Sequence, residues 1–419
     1  MQPAENGKIQ GMKSIRATQP RYMRDFRCAG EACIDTCCQR WRVTVDRKSF
    51  DFLRKEVADP ALRPIIDKHL VRTRSGDRRS RYGEIAMRDD GTCPFLTQTR
   101  LCRIQKTLGA EALPDVCREY PREQVMIDRD LEQYATTSCP EIARLLLSGP
   151  DAIELSEVDL TGSEIGRGAS VVSTSGGTVY QTGFRDIRDT AISLIAAHAP
   201  DADRGLFAVL MLTQALDGRS GTSTDIRGFL ADQSAILTSD EFRAQFGSLR
   251  VDPSIGLRLV KEMVALRRLV GPGRNVSTHY PEIMAQCVEG VGHCDDDPAR
   301  SLAGYRQARE RFAGFVERHP WVLRNLLVDD LRRSVYPAGK TLPWEQAMEL
   351  AIRYAFVKLM LVGLCGYWKD AFDIDRCALA VYSFSRGVAH TEGFVARLRA
   401  LLKDAGVDSL GGAAVMLKT

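Results

Sequence analysis

Eight cysteines crowd the first third of this chain, and no other feature restricts its folding so strongly. Four fall within eleven residues, Cys28-Ala-Gly-Glu-Ala-Cys33-Ile-Asp-Thr-Cys37-Cys38. Cys93-Pro-Phe-Leu, Leu101-Cys102-Arg-Ile, Val116-Cys117-Arg118-Glu-Tyr-Pro121-Arg122 and Ser138-Cys139-Pro140 follow. Thiols this dense suit a soft metal ion or an iron–sulfur core and suit hard cations poorly. A tight turn at Gly30 would let Cys28 and Cys33 face one centre. Side chains alternate along an extended backbone, so adjacent Cys37 and Cys38 do not readily point at the same metal. One of the pair is expected to serve a second centre or a structural contact. The paired Cys-x2-Cys knuckles of structural zinc sites are missing. Spacing alone leaves zinc and iron–sulfur open.

Bulk composition supports ligation over disulfides. The chain has 419 residues, enough for two or three domains, and is 44% hydrophobic and 27% charged. Its 58 basic and 54 acidic residues leave a net charge of only +4, which points to no particular polyanionic partner. The one basic run, Arg72 to Arg81, reads as a solvated loop. Residues 1–20 are polar and carry no apolar signal segment. No run reaches the length of a membrane span; the best, Tyr354–Trp368, is short and contains Lys358. A cytoplasmic protein with neither membrane nor nucleic-acid partner is expected, its thiols kept reduced. Cys287, Cys294, Cys365 and Cys377 lie apart from the cluster, and Cys365 and Cys377 read as small core side chains.

The pattern predicts a mainly α protein: a Cys-rich α+β module with a small hairpin, then a helical bundle. The expected divisions are a flexible N-terminus at 1–20, the Cys-rich domain at 21–160, a Gly/Ser/Thr-rich linker or loop at 161–178 and a helical domain at 179–419. Trp41–Asp46 alternates as a strand, and helical spacing follows from Arg47. Gln124–Thr137 reads as a hairpin turning at Asp128–Asp130, and Pro140 opens a short helix. Helices are predicted over Phe184–His198, Arg204–Leu216, Ile255–Leu269, Leu302–Val316, Trp321–Val335, Asp375–Ala389 and Glu392–Leu402. The longest opens at Pro343, with Gly363 and Gly366 expected to mark its end.

The series Cys28-x4-Cys33-x3-Cys37-Cys38-x2-Trp41, Cys93-Pro-Phe-Leu, Cys102-Arg-Ile, Cys117-Arg-x2-Pro121-Arg and Ser138-Cys139-Pro140-Glu141 resembles the flagellin lysine-N-methylases. Tyr354-Ala-x2-Lys358, and Phe384-Ser-Arg386 with His390, extend the resemblance more weakly into the helical half. The N-terminal motifs are shared with a wider group of zinc- or iron-chelating proteins. The resemblance implies an enzyme that methylates lysine side chains of flagellin, with S-adenosylmethionine as methyl donor. It also implies an iron–sulfur cluster, expected to be a four-iron four-sulfur one, whose ligands are at least four of the eight candidates Cys28, Cys33, Cys37, Cys38, Cys93, Cys102, Cys117 and Cys139. Zinc remains the alternative metal, and a zinc-binding scaffold or a redox protein the alternative function.

Two familiar donor-binding signatures are missing. No Gly-x-Gly loop joins a predicted strand to a helix. Cys33-x3-Cys37 begins the radical Cys-x3-Cys-x2-Cys pattern, but Arg40 occupies its third place. Arg118 and Arg122 are candidates to hold the donor carboxylate or to stabilise a charged cluster, against ion pairs with Glu119 or Glu123. A neutral amine is needed for polar methyl transfer, which makes Tyr22, Tyr120, Tyr134, Tyr354 and His390 candidate bases or pocket walls. Lys358 is expected to snorkel from its apolar stripe.

Overall fold

The computed structural model describes residues 14–39, 41–73, 81–161, 164–166, 170–217, 225–259, 279–292, 297–339, 341–389, 394–404 and 406–419. The fold is mainly α, with two small sheets near the N-terminus. The described chain forms two compact units. One holds residues 14–142 and 155–171; the other holds 143–154, 172–259 and 279–419. The division falls inside the helix Pro140–Leu147.

The first unit contains a five-stranded sheet in the order β7-β1-β6-β5-β8. These strands are β1 Ser14–Pro20, β5 Arg122–Ile127, β6 Asp130–Ala135, β7 Leu155–Thr161 and β8 Ser170–Val172. The predicted hairpin is β5–β6, in register from Arg122 opposite Ala135 to Ile127 opposite Asp130. Its turn residue Asp128 has φ 55°, which aspartate tolerates better than most side chains. Strand β1 runs parallel to β6, with Ala17 opposite Leu131, and antiparallel to β7. Its residues fall within the expected flexible N-terminus, and β8 falls within the expected linker. Three glutamines tie the strands inside: Gln133 donates to Gln19 at 3.0 Å and Gln124 donates to Gln133 at 2.6 Å.

A three-stranded antiparallel sheet, β2-β4-β3, completes this unit (β2 Val43–Val45, β3 Leu70–Arg72, β4 Gly83–Ile85). Asp46 ends β2 and caps the helix Arg47–Lys55 by accepting from the Ser49 N–H at 2.9 Å. Gly83 is required by close approach, since a Cβ there would lie 2.8 Å from the Val71 carbonyl oxygen. Val43, Leu53, Ile66, Phe95 and Ile104 fill the core beneath the sheet.

The second unit is built around the helix Pro343–Trp368. Its sequence is apolar on nearly all sides, and it is buried on nearly all sides, as that patterning requires. Helices Ala202–Asp217, Tyr280–Gly290, Pro298–Arg318, Trp321–Arg333, Ile374–Phe384, Phe394–Asp404 and Leu410–Lys418 pack against it. Gly363 and Gly366 do not end the helix, which runs on to Trp368. They instead admit the neighbouring Tyr280–Gly290 helix, since a Cβ on Gly363 would stand 2.8 Å from the Cys287 backbone. Residues 143–154 join this unit through the helix Trp321–Arg333. Asn325 Nδ2 donates to the Leu146 and Gly149 carbonyls at 3.0 and 2.9 Å, and Trp321 Nε1 donates to Leu147 O at 2.9 Å. Those carbonyls are the unpartnered end of the helix Pro140–Leu147, satisfied from outside it. Among the described residues no helix is long and apolar enough to cross a membrane. Most of the predicted Ile255–Leu269 helix, and the basic run from residue 74 to 80, lie outside the described residues.

Candidate metal centre

All eight clustered cysteines lie in the first unit, and none of them forms a disulfide. Gly30 takes φ 55° and opens a short 3-10 turn, Gly30–Ala32, that bends the chain between Cys28 and Cys33. Only glycine adopts that backbone readily. Cys28 and Cys37 are exposed, Cys33 is half-buried, and Cys139 is buried.

Cys93 is buried in the apolar core beneath the three-stranded sheet, and half-buried Cys38, Cys102 and Cys117 pack against it. Backbone pairing draws them in: the Cys93 N–H donates to the Cys38 carbonyl at 2.8 Å. Isolated bridges join Gln39 to Thr92 and Leu96 to Cys102 on either side. The Cys38 thiol is within hydrogen-bonding reach of Cys102, Cys37 and Cys93, and those contacts hold its pKa far above the ordinary thiol range. Acting as donor, it lowers Cys102 to about 7 and also lowers Cys93. Cys102 precedes the helix Arg103–Leu108, whose first N–H groups favour its thiolate further. Burial pushes the Cys117 thiol well up, and the nearby Cys93, Cys37 and Cys102 push in the same direction. Burial raises Cys139 to about 12, and Cys33 and Cys37 add to it. Cys33 is raised by burial and then by Cys28 and Cys37.

Three N–H donors on residues close to these cysteines in sequence are buried without a partner: Trp41 Nε1, Arg103 Nε and Arg118 Nε. Trp41 packs on the same core as the thiols, Arg103 follows Cys102, and Arg118 follows Cys117. Orphaned buried donors are costly, about 1–3 kcal/mol each. Cysteines with unsatisfied donors near them in sequence fit a group that binds sulfur and carries negative charge. Among the described residues, however, no three metal-binding side chains are already gathered to hold an ion.

Arg118 is buried, and its Nη2 donates to Asp115 at 2.7 Å, with Glu119 further off at 3.9 Å. The guanidinium of Arg122 lies 5.8 Å from the centre of the Phe26 ring. The candidate tyrosines are all engaged. Tyr22 OH accepts from the Ala135 N–H at 3.3 Å, Tyr120 OH meets Ser138 Oγ at 3.3 Å, and Tyr134 OH donates to Glu132 at 2.8 Å. Tyr354 OH donates to Asp203 at 2.7 Å, and burial drives its pKa well up, so it stays a protonated donor. His390 lies outside the described residues.

Lys358 does not snorkel. Its ammonium is buried and donates to Asp203 and to the Leu417 carbonyl, each at 2.6 Å. Asp203 has no marker in the sequence, being one acid among many on an amphipathic helix. Trp41 and Arg103 stand out in the sequence only as members of the motifs Cys38-x2-Trp41 and Cys102-Arg-Ile, with no role of their own. Cys287, Cys365 and Cys377 are buried in the second unit, and Cys294 lies outside the described residues.

Comparison with known proteins adds relatives along almost the whole chain. The family model described as the FliB lysine N-methylase C-terminal domain matches residues 188–416. A lysine-N-methylase of Salmonella choleraesuis is 26% identical over 399 residues, covering 90% of this chain and 93% of that protein. The same figures hold for a lysine-N-methylase of Salmonella typhimurium. A flagellar biosynthetic protein, FliU of Salmonella muenchen, is 36% identical over 149 residues, or 35% of this chain and 85% of that protein. No solved structure matches the chain.

Proposed function

Because this chain belongs to the FliB lysine N-methylase family, we propose that it transfers methyl groups from S-adenosylmethionine to lysine side chains of flagellin. The same reading gives the cysteine-rich unit an iron–sulfur cluster. One observation carries the activity: relatives named lysine-N-methylase align with 90% of the chain, spanning both units rather than a shared module. The name of the FliU relative supports a flagellar substrate.

Methyl transfer to an amine needs its lone pair, and free lysine is protonated below about pH 10.4. The site must therefore desolvate the ammonium or take its proton. Tyr354 is a poor base, because its phenol is held protonated against Asp203. The Asp203 carboxylate, within the matched region, accepts from both Tyr354 and Lys358. Cys38, Cys93, Cys102 and Cys117 would hold the cluster, with Trp41, Arg103 and Arg118 supplying N–H groups to its sulfur. An iron–sulfur cluster supplies electrons or, at an open iron, a seat for an amino and carboxylate group.

The test is to express the chain with a flagellin in cells otherwise free of methylase and to weigh the intact flagellin. Mass increments of one methylene per modification, localised to lysines, are expected. Unmodified flagellin beside abundant, metal-loaded protein would overturn the proposal.

A further inference from the structure

We infer that the open edge of β7 docks the protein substrate: an extended, lysine-bearing segment adds to the five-stranded sheet as a further strand, beside Glu157 and Asp159. That this segment belongs to the methyl acceptor rests on the reading above; the open edge and the charge it selects are properties of β7 itself.

Strand β7 lies at one end of the order β7-β1-β6-β5-β8 and pairs with β1 along its whole length, from Leu155 opposite Pro20 to Thr161 opposite Ser14. Backbone groups in an antiparallel pair point alternately toward the partner strand and away from it. Both ends of β7 show which residues point away. Thr161 turns its N–H to the Glu164 carboxylate at 3.3 Å, outside the ladder, and Pro20 has no N–H to give Leu155. Leu155, Glu157, Asp159 and Thr161 therefore present their N–H and C=O groups to the open edge. Among the described residues no further strand or main-chain group bonds to Glu157 or Asp159 there. Edge strands are ordinarily blunted by lysine, proline, a bulge or short length. β7 has neither lysine nor proline, keeps an unbroken register and is as long as β1.

What β7 carries instead is acid, and the acid selects the occupant. Its Val158 and Leu160 pack with Ala17 and Leu131 on one face of the sheet, and Glu157 and Asp159 stand on the other. Their side chains are 73% and 72% exposed and share Arg16, at 3.8 and 3.9 Å. Pairs this exposed are worth little and yield readily to a new partner. A second copy of β7, laid antiparallel about Val158, would set Glu157 opposite Asp159, and like charges directly opposite destabilise a strand pair. A strand with lysine at that place sets an ammonium against both carboxylates. Leu155, 42% exposed, offers the same strand an apolar contact. An ammonium between two carboxylates keeps its proton. A lysine held there positions the segment, and a different lysine of the substrate reacts.

The experiment titrates the full chain with purified monomeric flagellin at low and high salt, and follows hydrogen exchange of the β7 peptide by mass spectrometry. Flagellin should slow that exchange. Asp159→Pro removes one outward N–H and leaves the ladder to β1 whole, since proline is tolerated on a free edge. It should weaken flagellin binding about tenfold, as loss of one hydrogen bond and one carboxylate implies, with the circular dichroism unchanged. Glu157→Lys with Asp159→Lys changes two exposed side chains and keeps the main chain. It should weaken binding further, most strongly at low salt. Parent affinity in the lysine double variant would overturn the docking edge, whether or not flagellin is methylated. Loss of self-association in place of flagellin binding would make a second copy the occupant and overturn it too. Flagellin that protects β7 but gains no methyl group would defeat the function read above and leave the edge standing. A parent chain that binds no flagellin would overturn both.

Discussion

Lys358 lies in the interior of the second unit, where a basic side chain is tolerated only with partners. It has two oxygens, from Asp203 and Leu417, and the Asp203 carboxylate is shared with Tyr354. Lys358→Met would leave that carboxylate without its counter-ion. Removing one member of a buried pair costs about 3–5 kcal/mol, and the 21% exposure of Asp203 puts this case near the lower end. A urea unfolding midpoint well below that of the parent is the expected result. His198 makes a different prediction. Its Nδ1 accepts from Arg204 Nε at 3.0 Å and its Nε2 donates to Leu237 O at 2.8 Å, so the folded ring is neutral. Burial, and then the Arg204 charge, lower its pKa. The unfolded chain takes up a proton near pH 6.5, as an ordinary histidine does, and the folded chain does not. Its contribution is therefore complete above about pH 6.5 and is lost as the pH falls below that value. Unfolding midpoints measured on either side should show this fall, and His198→Gln should flatten it. None of these partners can be read from sequence, because Asp203 and Leu417 reach Lys358 only through tertiary packing.

At the scale of elements, hydrophobic spacing carried the helices Phe184–Ala197, Ala202–Asp217, Pro298–Arg318, Trp321–Arg333 and Pro343–Trp368 but not Ile226–Leu237, Asp240–Ser248 or Tyr280–Gly290, and turn chemistry carried the hairpin. Strands β1, β7 and β8 of the five-stranded sheet were hidden. Strand β1 gains its meaning from Leu131 and Leu160, more than a hundred residues away, and β7 alternates charged and apolar residues with little burial. The glycines of the long helix misled in an instructive way. A glycine costs about 1 kcal/mol in a helix interior, which is why two of them suggest an end. Here close approach of the Tyr280–Gly290 helix requires them. Gly363→Ala would recover that ~1 kcal/mol of propensity but force a methyl against the Cys287 backbone, an overpacking cost of about 1–3 kcal/mol. With backbone as the obstacle the second term wins, and the melting temperature should fall with the helical circular dichroism at low temperature unchanged.

At the scale of the molecule, the cysteine spacing did not show that Cys38, Cys93, Cys102 and Cys117 would lie in or against one apolar core while Cys28, Cys33, Cys37 and Cys139 stay apart from it. That separation depends on the three-stranded sheet, whose β3 and β4 are too short to stand out by pattern. Family membership then joins this unit to the helical one as parts of a lysine methylase, since relatives of that name align across both. The direct measurement is transfer of isotope-labelled methyl from S-adenosylmethionine to purified flagellin, by the anaerobically purified full chain with its iron and sulfide content known. Label on lysine Nζ, found by mass spectrometry of flagellin peptides, is the predicted result. Unlabelled flagellin beside protein that is folded and fully loaded would contradict the account.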